Sequence, residues 1–134
     1  MSAARSIAPA EAPPGAAEPA LPPDIARVVA DYVLVHFEPT RARVESLFTP
    51  GLRVYGNSLP PHGLDREAYL NHLRKRYGMV FSQAPHTRVV LTHDKRVVLR
   101  WTLSSGARRL AFGLDYLSVA HERISRIVGL SWPA

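Results

Sequence analysis

The chain has 134 residues, of which 46% are hydrophobic, and this predicts one domain with an ordinary core. It contains no cysteine and no run of about 18 apolar residues, which excludes disulfides, thiolate metal sites, cysteine nucleophiles and an ordinary membrane-spanning helix. The formal charge of +6 comes from dispersed cations that aromatic residues do not interleave, so we do not expect a nucleic-acid surface.

Residues 1–23 are rich in alanine and proline and have almost no large apolar side chain. Such a segment cannot bury enough surface to offset the entropy of ordering it, which predicts a disordered tail. The tail lacks the apolar stretch of a secretory signal, and Glu11 and Glu18 are untypical of a transit peptide, so we expect a cytoplasmic protein. The folded domain is predicted to span residues 24–134.

Three helices are predicted in the first half of this domain. The first follows a possible N-cap at Asp24 and carries apolar residues at helical spacing. The second is short, begins after Thr40 and ends at Pro50. A short strand, "LRVYGN", precedes the third helix, which opens at Asp65. Its segment "HLRKRY" is predicted to form a solvated basic face.

From Pro85 onward, β-branched residues recur with period two, which is typical of strands. The predicted strands are "HTRVVLT", "RVVLRWTLS", "ARRLAFGLDYLSV" and "RISRIVGLSW". The segments between them are short enough for antiparallel hairpins. Together the elements predict an α+β fold in which helices cover one face of a mainly antiparallel sheet.

Two stretches carry a resemblance to a known family. "VVADYV" is similar to the first helix of the ketosteroid isomerases, and "GLDYLSVAHERISRI" resembles the closing hairpin of the nuclear transport factor 2-like superfamily. The resemblance to its SnoaL-like members covers residues 24–132. It implies a cone of three helices on a curved sheet, a pocket for a hydrophobic small molecule, and a homodimer formed through the outer sheet face.

The same resemblance implies a catalytic pair. Tyr32 falls on the oxyanion-hole tyrosine of the isomerases, and Asp115 falls on their second oxyanion-hole residue, a carboxylic acid kept neutral by an apolar site. The isomerase base is an aspartate on the first strand, where this chain has Gly56 or its neighbour. An isomerase- or cyclase-type enzyme on a hydrophobic carbonyl or polyketide-like substrate is one hypothesis. A non-catalytic ligand-binding or dimerisation module that has lost the base is the other.

Further pocket residues follow from strand alternation and from the resemblance. Alternation places Gly113 and Leu117 on the face of Asp115. The resemblance turns residues of the third and last of these strands inward as substrate contacts, namely Val98, Arg100, Thr102, Ile127 and Gly129. Trp101 is then expected to point outward.

Several alternatives stay open. A hairpin turning at Ser105-Gly106 would place Arg96 opposite Asp115, so an ion pair could replace the pocket role of the acid. Tyr32 could be a core residue, and His36 either an acid–base group or a packed histidine. The six histidines do not form a ligand motif, so neither a metal nor another cofactor is predicted.

Overall fold

The computed structural model describes residues 21–79, 86–105 and 107–133. Within these ranges the predicted order of helices and strands is confirmed. The elements are α1 (Pro23–Phe37), α2 (Arg41–Leu47), β1 (Phe48–Gly56), α3 (Arg66–Met79), β2 (His86–His93), β3 (Arg96–Ser105), β4 (Arg108–Ala120) and β5 (Arg123–Pro133). None of the helices in these ranges is long and apolar enough to cross a membrane.

The first described helix begins close to residue 24, where the folded domain was predicted to start. Most of the predicted tail, residues 1–20, lies outside the described residues. Leu21 packs against the core, and α1 begins at Pro23, whose fixed φ and missing N–H suit the first turn of a helix.

Side-chain caps mark the starts of the other two helices. The Thr40 hydroxyl accepts a hydrogen bond from the backbone N–H of Arg43 at 3.2 Å, and the Asp65 carboxylate accepts one from Ala68 at 2.8 Å. Each cap satisfies a backbone donor that has no partner inside its helix. The helix α2 ends at Leu47, earlier than predicted, because the chain passes directly into β1.

The described strands form one sheet in the order β1-β5-β4-β3-β2. The strand β1 runs parallel to β5, and the other neighbouring pairs are antiparallel. This confirms the predicted α+β class with a mainly antiparallel sheet. Apolar side chains from all three helices and from one face of the sheet form the core, in which Phe48, Leu52, Leu70 and Leu99 are almost completely buried.

The pairing of β3 with β4 differs from the predicted register. Leu99 lies opposite Asp115, and Arg96 lies opposite Ser118. An irregularity between Leu103 and Ser104 shifts the ladder near the turn. The predicted partnership of residue 96 with residue 115 is therefore wrong.

This shift reverses the two faces of β3, because moving a strand by an odd number of residues exchanges its inner and outer side chains. Val97 and Leu99 are buried in the core, while Arg100 is exposed. The prediction that Val98, Arg100 and Thr102 face inward is wrong for the same reason, as is the outward orientation predicted for Trp101.

Candidate functional site

A recess lies between α1, α3, the end of β1 and the inner face of the sheet, with a cavity volume of ≈ 80 Å³. Its apolar lining includes Val33, Val54, Leu59, Leu73, Leu99 and Ile127. The polar and titratable side chains that line it include Tyr32, His36, Tyr69, His72, Arg76 and Asp115. An apolar wall with a few polar groups is the usual composition of a small-molecule site, although such sites commonly reach about 300 Å³ or more.

Tyr32 and Asp115 meet inside this recess. The tyrosine hydroxyl donates a hydrogen bond to Oδ2 of Asp115 at 2.6 Å, and the indole Nε1–H of Trp101 donates to Oδ1 at 3.2 Å. Both carboxyl oxygens of Asp115 therefore accept hydrogen bonds from neutral groups. The alternative ion pair with Arg96 is wrong, because that residue is exposed and lies opposite Ser118.

Two glycines make room for this arrangement. A Cβ atom at Gly113 would lie 2.5 Å from the Trp101 ring and 2.4 Å from the carbonyl oxygen of Leu130, so only glycine leaves room for the indole over β4. A Cβ atom at Gly129, opposite Asp115 on β5, would lie 3.1 Å from Oδ1 of the acid. The space that Gly113 leaves beside Asp115 is thus occupied by Trp101.

The two recess tyrosines are held in their protonated form. Burial, followed by the negative field of Asp115, raises the pKa of Tyr32 well above its ordinary value. The same two causes, in the same order, raise the pKa of Tyr69. Both hydroxyls are consequently hydrogen-bond donors at neutral pH.

His36 lies next to Tyr32 with a defined tautomer. Its Nδ1 is 2.8 Å from the backbone carbonyl oxygen of Tyr32, and since a carbonyl can only accept, Nδ1 carries the hydrogen. Nε2 is then an acceptor, 3.5 Å from the hydroxyl of Tyr69. Burial lowers the pKa of His36, which favours the neutral ring.

The helix α3 contributes side chains that were predicted to face solvent. His72 and Arg76 line the recess although both belong to the "HLRKRY" segment. The ring of His72 stacks on that of Tyr69 with centroids 6.2 Å apart. Burial and then the charge of Arg76 lower the pKa of His72. Helical spacing from Tyr69 is the sequence signal that could have identified them, since residues three and four apart share a helix face.

The structure brings together only part of the predicted site. Tyr32, Asp115, Ile127 and Gly129 all line the recess. Leu117 is on the same face of β4 but lies in the core, 1% exposed, and Gly113 lies beneath Trp101. The remaining predicted contacts are on the outer sheet face, as described for β3: Val98, Arg100 and Thr102.

The stretch that corresponds to the isomerase base, Gly56 or its neighbour, holds no acidic side chain. Gly56 lines the recess, and a Cβ atom there would lie 2.6 Å from the carbonyl oxygen of Gly129 on the neighbouring strand. An aspartate could not occupy this position without moving the backbone. Among the described residues, no group of three or more histidine, aspartate or glutamate side chains could hold a metal ion.

Comparisons with known proteins relate this geometry to solved structures. No family model matches the chain, and no curated protein matches it. Wild-type IdmH, a proposed polyketide cyclase from Streptomyces antibioticus, is 15% identical over 79% of this chain and 90% of that chain, with a TM-score of 0.65. A proposed SnoaL-like isomerase from Agrobacterium tumefaciens is 20% identical over 81% and 97%, with a TM-score of 0.60. A proposed ketosteroid isomerase from Kribbella flavida is 15% identical over 83% and 79%, with a TM-score of 0.59.

At these identities the comparisons establish the fold. The chain has the nuclear transport factor 2-like fold of the SnoaL-like proteins, as its sequence predicted.

Proposed function

We propose that the chain binds a small apolar molecule carrying an oxygen group, with Tyr32 and Asp115 as the polar contacts of the recess. One observation carries this proposal: the two side chains, 83 residues apart in sequence, are hydrogen-bonded at 2.6 Å in a largely apolar cavity. Ile127 and Gly129 supply neighbouring contacts from β5. Polar groups that converge in an apolar recess fix the orientation of a ligand.

The reaction that fits these groups is of the isomerase or cyclase type, on a hydrophobic carbonyl compound. Tyr32, whose side chain Asp115 positions, would turn its hydroxyl hydrogen to the oxygen as negative charge develops on it. Trp101 holds the second oxygen of Asp115 and so fixes the plane of the carboxyl group. Solved structures with this fold include a proposed polyketide cyclase and a proposed ketosteroid isomerase, which supports the same class of substrate.

The size of the recess restricts what it can enclose. A cavity volume of ≈ 80 Å³ is too small to enclose several rings. Ser58, which lines the recess, is exposed, so the recess reaches solvent on that side. A polyketide-sized ligand would therefore place one ring inside and extend its remainder outward.

Phenols of graded acidity test this proposal, because their oxygen resembles an enolate more closely as their acidity increases. We expect wild-type protein to bind the more acidic phenols more tightly, measured by NMR titration. Tyr32→Phe should remove most of that trend, whereas Tyr116→Phe, a matched change at an exposed tyrosine outside the recess, should retain it. Equal binding by wild type and Tyr32→Phe would contradict the proposal.

A non-catalytic binding module is the second candidate, and Gly56 is the observation that favours it. The isomerase base corresponds to Gly56 or its neighbour, and no acid stands there, so proton abstraction next to a carbonyl has no obvious agent. Hydrogen–deuterium exchange beside the carbonyl of cyclohexenone in D2O separates the candidates. Exchange that is lost in Asp115→Asn indicates an enzyme, and binding without exchange indicates the module.

We also propose that the protein is a homodimer through the outer face of its sheet. Tyr116 is 43% exposed there and Trp132 is 41% exposed, which is unusual for large hydrophobic side chains on neighbouring strands. Trp132 stacks on Phe112 with ring centroids 5.5 Å apart. Such an apolar surface is typical of an interface between protein chains.

A further inference from the structure

We infer that the ligand of the recess is a carboxylic acid with a single ring, and that the recess binds the two ends of this molecule by different chemical groups. In this arrangement Tyr32 and Asp115 contact a hydroxyl or carbonyl oxygen, while Arg76, assisted by His72, binds a carboxylate of the same molecule. The inference names the substrate class of the recess, and it rests on the function proposed above.

The position of Arg76 is the first argument. It lies one helical turn after His72 on α3, and both side chains line the recess. Burial and, to a lesser extent, the positive charge of Arg76 lower the pKa values of His36 and His72, and the same charge opposes the rise in the pKa of Tyr69. The helix thus brings a permanent positive charge to a cavity whose other wall carries Asp115.

The hydrogen-bonding capacity of this pair is the second argument. A guanidinium has five N–H donors in a planar fork that matches a carboxylate, so it can keep a contact within the protein and still bind a ligand. The pKa of His72 is lowered, and its neutral ring can donate one further hydrogen bond. Arginine is preferred over lysine wherever a carboxylate is bound by two parallel hydrogen bonds.

The distribution of charge within the recess determines the orientation of the ligand. A carboxylate placed against Asp115 would meet a like charge in an apolar cavity, where repulsion is poorly screened. The wall includes Leu99 and Ile127, which can contact the faces of one ring. The ligand that fits the Tyr32–Asp115 end, the apolar wall and the Arg76 end is a single ring with an oxygen group at one end and a carboxylate at the other.

Three phenolic acids that differ only in spacer length test the inference: 4-hydroxybenzoate, 4-hydroxyphenylacetate and 3-(4-hydroxyphenyl)propanoate. Each is compared with its methyl ester by NMR titration against wild-type protein. We expect at least one acid to bind about tenfold more tightly than its ester, as a charge-assisted hydrogen-bond pair provides. Arg76→Gln should abolish this preference, and Arg76→Lys should restore only part of it.

Lys75→Gln is the matched control, because it removes the same charge from an exposed position on the same helix. It should leave the preference for the acid unchanged. If Lys75→Gln weakens that preference as much as Arg76→Gln does, the effect is one of overall charge and the inference is overturned. Thermal unfolding of each variant checks that it is folded.

The esters separate failure of the inference from failure of the proposed function. If acids and esters bind wild-type protein equally, the recess binds the ring and its oxygen but not a carboxylate, and only the inference is overturned. If neither acids nor esters bind, the proposed function fails and the inference fails with it.

Discussion

Asp115 accepts hydrogen bonds from two side chains that come from different elements, Tyr32 on α1 and Trp101 on β3. Removing one donor leaves a carboxyl oxygen in an apolar recess without its partner. We therefore expect Tyr32→Phe to lower the free energy of unfolding by about 1–3 kcal/mol, measured with urea. Tyr116→Phe removes a tyrosine hydroxyl outside the recess and serves as the matched control, with both variants unfolded at the same protein concentration. Equal stability of Tyr32→Phe and wild type would mean that the hydroxyl is not needed to satisfy Asp115.

Gly113 controls the position of Trp101. Alanine at this position would bring its Cβ within 2.5 Å of the indole ring, so the ring must move away from Asp115. We expect Gly113→Ala to cost about 1–3 kcal/mol in urea unfolding and to change the tryptophan fluorescence. Gly51→Ala has nothing within 4 Å of the new methyl group and serves as the control. Unchanged fluorescence in Gly113→Ala would show that the indole does not lie over β4.

His36 makes stability depend on pH. Its folded pKa is below the unfolded value of 6.5, so the unfolded chain binds more protons in this range. Stability is then fully present above pH 6.5 and falls as the pH drops towards the folded pKa. The titratable and charged groups around this ring are Tyr32 on α1, Tyr69, His72 and Arg76 on α3, and Asp115 on β4.

We expect His36→Asn to reduce the loss of stability between pH 7 and pH 5, followed by urea unfolding at each pH. His72, whose pKa is also lowered, accounts for part of the remaining slope. His62→Gln, at an exposed histidine, should behave as wild type. A pH profile of His36→Asn that is as steep as the wild-type profile would contradict this account.

The helix α3 depends on Asp65 for its first turn. The carboxylate accepts the backbone N–H of Ala68 at 2.8 Å, and Asp65→Ala should lower the free energy of unfolding by about 1 kcal/mol. Asp24→Ala, in a first turn without a side-chain cap, should have a smaller effect. Because α3 carries Arg76, any ligand affinity should weaken together with stability. An Asp65→Ala variant as stable as wild type would show that the Asp65 cap does not stabilise the fold.

The elements themselves could be predicted from local chemistry. Thr40 and Asp65 are caps whose effect is confined to one helical turn, and period two in β4 and β5 identifies strands without reference to their neighbours. The resemblance to the isomerases also identified Tyr32 and Asp115, which the structure joins by a hydrogen bond.

The faces of β3 and α3 could not be predicted in the same way. The register of β3 depends on an irregularity at Leu103 and Ser104, and local residue preferences do not reveal it. As a result the indole of Trp101 enters the recess while Arg100 faces solvent. Arg76 was missed because a basic segment is usually solvated, and only the packing of α3 shows which of its cations turns inward.

The outer sheet face determines the oligomeric state that we expect for the whole molecule. Tyr116→Glu places a charge in the middle of the apolar surface and should convert a dimer into a monomer, measured by light scattering after size-exclusion chromatography. Glu122→Gln, at an exposed turn, should leave the dimer intact. A monomeric wild-type protein at micromolar concentration would contradict the proposed interface.

Because β1 pairs in parallel with β5, the sheet that carries the site can be completed only after both strands have been synthesised. Phe48 pairs with Ile124 and Gly56 with Gly129, so β1 leaves the ribosome long before its strand partner. Until β5 is synthesised, the backbone N–H and C=O groups of β1 lack their hydrogen bonds to that strand. The nascent chain then presents an unpaired edge that can associate with other chains. Contacts so distant in sequence also slow folding. Chaperone protection should therefore matter most in the interval between the synthesis of β1 and the release of β5.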